Sequence, residues 1–158
     1  MRPFFRKLKR LYEFIPVIWN TYDYDSSSAI DIFTYQLKRT VSELRTSKWQ
    51  HTTSEYDARR IELVLRLLDY SYNGKGEESV LENYEFRYGK LNFAFEKWED
   101  DDKYSVLTTK WTHAVNDSHN DEIDTMYRDD LQKIRQRQKR AKDLAWKIIA
   151  KDIEKWWI

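Results

Sequence analysis

The sequence predicts an all-α protein, and three observations carry the prediction. Only 3 glycines and 2 prolines occur in 158 residues, too few for a fold built on tight turns. Apolar residues recur at helical spacing in five or six separate stretches. The last stretch, about 121–156, keeps that spacing longest and reads as one long C-terminal helix. Together these give a single-domain helical bundle over 1–158, of a length that buries roughly 70% of the unfolded surface without staples.

Each element has its own signal. Residues 2–15 carry Phe4, Phe5, Leu8, Leu11, Tyr12 and Ile15 at helical spacing among Arg2, Arg6, Lys7, Lys9 and Arg10. Pro16 is expected to stop or kink that helix, and 17–25 reads as a connector. A second helix, about 26–46, follows a cap at Asp25 or Ser26, with Phe33, Leu37, Val41 and Leu44 as its stripe. Ser54 and Asp57 stand in capping-box order before a third helix. Its stripe, Ala58, Ile61, Val64, Leu65 and Leu68, is the clearest in the chain, and Asn73-Gly74-Lys75-Gly76 ends it. A tyrosine- and phenylalanine-rich helix is expected over 79–98, although Gly89 interrupts it and Leu91–Phe95 could be extended. A short fifth helix is expected from Tyr104 to Val115, carrying Val106, Leu107 and Trp111.

Composition excludes several functions. Without cysteine there are no disulfides, thiolate metal sites or cysteine nucleophiles, and a reducing, cytoplasmic setting is expected. The net charge of +1 gives no global attraction to polyanions, so nucleic acid is not the expected partner. No run of 18 apolar residues is present, and cations interrupt the first apolar stretch as they would not in a signal peptide. The basic first helix could lie on a membrane or seal the core with its apolar side. Its few turns and lack of a second anchor favour the core, so no membrane contact is expected.

No phosphate-loop, dinucleotide or nucleophile-elbow motif occurs, and no enzyme activity or cofactor is expected. His51, His113 and His119 lack metal-ligand spacing, so no metal is expected either. What remains is aromatic and basic. Aromatics make up 16% of the chain, with 7 Trp and 11 Tyr. Six cations and no acid fall between Lys133 and Lys142. Arg137 has no acid at i±3 or i±4, and an unpaired Arg is either solvated or free to hold a phosphate. Stacking aromatics beside phosphate-holding cations are what nucleotide recognition needs. The candidate ligand-binding set is Arg135, Arg137, Lys139 and Arg140, with Trp19, Tyr22, Tyr24, Arg87 and Tyr88. The Trp and Tyr content also favours a homo-oligomer. Of the closing tryptophans, Trp157 lies four residues after Ile153 and is the expected core member, ahead of Trp156.

The front, FFRKLKRLYEFIPVIW followed by DYDSSSAIDIFTYQLKR, the middle helix YDARRIELVLRLLDYSY and the end DLAWKIIAKDIEKWWI resemble a widespread set of small tailed-phage proteins. They share a Trp-x-x-x-Asp front, here Trp19 to Asp23 with Asp25, a middle Ala-x-x-Ile helix and a closing Trp-Trp pair. The resemblance implies a phage accessory protein acting in the bacterial cytoplasm, with no catalytic residue. The leading expectation is a counter-defence protein that sequesters a nucleotide immune signal of cyclic oligonucleotide or cyclic ADP-ribose type. The alternative is an interaction protein that blocks a host defence or virion protein through an aromatic surface.

Overall fold

The computed structural model describes residues 2–19, 26–46, 52–98 and 101–157. Five α-helices dominate: α1 (Arg2–Trp19), α2 (Ser26–Thr46), α3 (Ser54–Tyr72), α4 (Lys75–Tyr88) and the long α5 (Asp117–Asp152). A 3-10 turn, Ile153–Trp157, follows α5, and two strands, β1 (Leu91–Trp98) and β2 (Asp101–Trp111), lie between α4 and α5. The class is all-α with a long C-terminal helix, as the sequence predicts. No helix among the described residues is long and apolar enough to cross a membrane. The chain packs as two compact units, residues 1–68 with 144–158, and residues 69–143.

In the first unit the stripes of α2, α3 and α5 meet. Leu37, Ile61, Val64, Leu68, Ala145, Ile148, Ile149 and Trp156 form the buried core, with Phe33, Val41 and Leu44 against it. Phe33 also stacks on Trp146, with ring centroids 5.9 Å apart. Trp156 is buried in this core, at 3% exposure; the Trp157 side chain, the expected core member, lies outside the described residues. The burial of Trp156 has a local reason. After Asp152 the helix tightens to three residues per turn, so the position beneath Ile153 passes from the fourth residue on to the third. Asp152, itself buried, accepts from Arg60 Nη2 at 2.7 Å and from Lys155 Nζ at 3.1 Å.

The first helix corrects two expectations. It continues through Pro16 to Trp19; an exposed proline removes one backbone bond whose acceptor water can satisfy. Its apolar side does not seal the core. Phe4, Phe5, Leu8, Leu11, Tyr12, Ile15, Ile18 and Trp19 are all exposed. The helix meets α2 through its other side, where Phe14 packs edge-on against Tyr35 at 5.1 Å and Arg39 pairs with Glu13 at 3.2 Å.

In the second unit Tyr84, Trp111 and Ile123 are buried together, with Val80, Leu81, Tyr88, Leu91 and Tyr127 around them. Two expected helices are replaced here. The helix expected over 79–98 stops at Tyr88, and Tyr104–Trp111 belongs to β2 rather than to a fifth helix. Gly89 causes the stop. Its φ is +78°, and a Cβ there would run into the Thr112 hydroxyl. Only glycine takes that conformation freely, and it turns the chain from α4 into β1. The strands pair antiparallel, with Leu91 opposite Trp111, Phe93 opposite Thr109 and Phe95 opposite Leu107. The side chain of Asn120, near the start of α5, accepts from the Trp111 N–H at 2.9 Å and donates to the Thr109 carbonyl at 2.9 Å. Those two bonds fasten the base of β2 to α5.

Candidate functional site

The basic stretch lies within the uninterrupted α5. Three of its cations are used locally. Arg135 forks onto Glu77 of α4 at 3.3 and 3.1 Å, and the hydrogen-bonded carboxylate holds the guanidinium pKa above its ordinary value. Lys142 lies 4.9 Å from the Tyr72 ring centroid, a cation–π contact. Gly76 sits beside Ile134 and Gln138, so this side of α5 is where α4 packs. Helical phase puts Lys133, Arg137 and Arg140 on the opposite side. Lys133 donates to Asp130 at 2.8 Å. Arg137, Lys139 and Arg140 are exposed, and none has an ion-pair partner among the described residues. Lys139 stands about 160° around the helix from Arg137, so the exposed cations are spread over a convex helix surface and do not form a cradle around a ligand.

The aromatic candidates are elsewhere. Tyr88 is half-buried and packs on Tyr84, Trp111 and His119, with centroids 5.8, 6.5 and 6.4 Å away. Its ring is filling a core. Arg87 is exposed in the last turn of α4. Glu77, which marks where the basic strip meets α4, is ten residues earlier, about 15 Å along the helix axis. The Arg87–Tyr88 pair and the cation strip therefore do not share a pocket. Trp19 ends α1 at 84% exposure. Tyr22 and Tyr24 lie outside the described residues.

Beneath the aromatic cluster runs a short polar chain. The Tyr84 hydroxyl donates to Asp130 Oδ2 at 3.0 Å, and Lys133 donates to Oδ1 of the same carboxylate. Burial first, and then the Asp130 bond, push the Tyr84 phenol up to about 12. The Lys133 bond, helped by Tyr84, draws Asp130 below its ordinary value. These shifts fix both groups in their neutral-pH forms, tyrosine protonated and aspartate ionised. The arrangement joins α4 to α5.

A hollow with polar walls, about 340 Å³, lies between β2 and the start of α5. Asp117, Asp121 and Asp124 line it with Lys110 and Arg128, so three carboxylates face two cations. That charge disfavours phosphates. No group of three or more metal-ligating side chains occurs among the described residues. His119 instead organises the start of α5, accepting from the Val115 N–H at 3.2 Å while its own N–H donates to Asn116 Oδ1. His51 lies outside the described residues.

Two exposed apolar features lie outside the candidate ligand-binding set. One is the outward side of α1, whose pattern the sequence shows and whose exposure it does not. The other is the arm made by β1 and β2, where Phe93 and Phe95 are 63% and 77% exposed and Leu107 is 52% exposed. Alternation places these three on the strand face that Leu91 and Trp111 continue into the core. The period-two run Leu91-Asn92-Phe93-Ala94-Phe95 was the available signal for the arm. No protein-family model, no curated protein and no solved structure matches this chain.

Proposed function

We propose that this chain is a non-enzymatic interaction protein that works by covering a protein partner, and that the β1–β2 arm is the surface it uses. The observation behind this reading is the run of Phe93, Phe95 and Leu107 along one strand face, exposed beyond the point where Leu91 and Trp111 enter the core. Aromatic residues are enriched where protein surfaces meet, and contiguous exposed apolar side chains mark such places. Among the described residues the sheet has two strands, so β1 has a strand neighbour on one side only there. An extended segment of a partner could add there by main-chain hydrogen bonds, with the phenylalanines choosing its side chains. The resemblance to tailed-phage proteins makes a host defence or virion protein in the bacterial cytoplasm the partner class.

A photo-crosslinking side chain at position 95 tests this. We expect a covalent adduct with one protein during infection, reproduced with that protein purified. Adducts spread over many proteins, or none with the purified one, would contradict the reading.

A second reading, sequestration of a nucleotide signal, is favoured by exposed Arg137, Lys139 and Arg140. Bridging phosphates gain about 1.5–3 kcal/mol per charge-assisted bond. A thermal-shift panel of cyclic di- and trinucleotides and cyclic ADP-ribose isomers decides it. A shift abolished in Arg137→Ala/Arg140→Ala would support it; no shift in the wild-type chain would remove it.

A further inference from the structure

We propose that α1 is an in-plane anchor for an anionic lipid surface. The eight exposed apolar residues from Phe4 to Trp19 fall within an arc of about 140° around the helix. Exposure runs from 47% at Ile15 to 84% at Trp19. The opposite side is already occupied: Phe14 packs on Tyr35, and the Tyr35 hydroxyl donates to the Glu13 carbonyl at 2.8 Å. The helix is therefore held with its apolar side outward, rather than turned inward like a core helix.

Charge selects the occupant. The 18 residues of α1 include five Lys or Arg and one acid, Glu13. That acid is taken up by Arg39 at 3.2 Å and faces Lys9 at 3.8 Å. By helical phase Lys7 and Lys9 stand at the two borders of the apolar arc, and both are exposed. An apolar arc bordered by cations, with Trp and Phe on it, is the pattern of helices that lie in the headgroup region of anionic bilayers. A second copy would bring the same lysines together across its seam. A convex helix side also needs a matching groove in a protein, whereas lipid closes around it. The helix lies on the bilayer and does not cross it, in keeping with its length and charge. The residues of this surface are not those of the arm proposed above to hold a protein.

The test is flotation of the full chain with vesicles of phosphatidylcholine alone or mixed with phosphatidylglycerol. We expect binding to the mixed vesicles, roughly tenfold weaker binding to the neutral ones, and loss of binding at high salt. Leu8→Asp/Leu11→Asp should abolish flotation while leaving the helical circular dichroism unchanged, because neither side chain is in a core. Lys7→Glu/Lys9→Glu should weaken it without touching the apolar arc. Three results would overturn the proposal. They are no flotation with anionic vesicles, binding retained by the leucine variant, and a dimer by light scattering that this variant dissociates. The last would assign the arc to a second copy.

Discussion

Trp156→Ala is expected to lower the melting temperature by on the order of 10 °C. Removing a buried tryptophan costs about 3–5 kcal/mol, transfer and cavity together, and a chain of this size shifts about 2–4 °C per kcal/mol. Trp156 is 3% exposed among Leu37, Ile61, Val64, Ile148 and Ile149. Those residues come from α2, α3 and α5, so the hole cannot close by moving one helix. Trp146 is the comparison. It is 38% exposed and stacks on Phe33, so Trp146→Ala should lose less than half as much. Differential scanning calorimetry of the two variants checks the ranking.

Arg60→Met should destabilise the first unit by about 3 kcal/mol near neutral pH, the low end for breaking a buried ion pair. Asp152 is buried and takes two bonds from Arg60, through Nε at 3.1 Å and Nη2 at 2.7 Å. Without them it keeps Lys155 alone, which is why the low end applies. The pair also sets a pH dependence. The Arg60 bonds, opposed by burial and aided by Lys155, hold the Asp152 pKa below its ordinary 3.8. A depressed carboxylate stabilises the fold fully above its unfolded value and loses that contribution as pH falls through the folded value. The wild type should therefore lose stability below about pH 4. The gap to Arg60→Met should narrow over the same range, since protonated Asp152 no longer needs a cation. Urea titrations across pH measure both; a gap that is constant with pH would assign the loss to packing alone.

These sites show how far the sequence reads. Ala58, Ile61, Val64 and Leu68 are the buried side of α3, because a one-per-turn stripe in a good helix former has one interpretation. Tyr104–Val115 reads falsely as a helix because Leu107, Trp111 and Val115 fall four apart. Its β-branched run Val106, Thr108 and Thr109 favoured a strand, and Gly89 isolated the segment from α4. Arg135 finds Glu77, a residue 58 positions earlier, which no i±4 rule reaches. The amphipathic pattern of α1 was plain, but a pattern states that a side needs cover and not what provides it. That is why the candidate site transferred poorly: cations and aromatics were counted from the same chain, while the fold puts Tyr88 into a core and Arg137 on an outer helix side.

The separation of working surface from core is tested most directly by Phe93→Ser/Phe95→Ser, measured for both stability and crosslinked-partner binding. Both side chains are exposed, and surface changes away from cores usually fall within about 0.5 kcal/mol. The account predicts a melting temperature within about 2 °C of the wild type and partner affinity reduced by at least about tenfold, since central aromatics carry 2 kcal/mol or more at interfaces. A large fall in melting temperature would make the arm part of the core. Unchanged affinity in a stable variant would mean that the partner is held elsewhere.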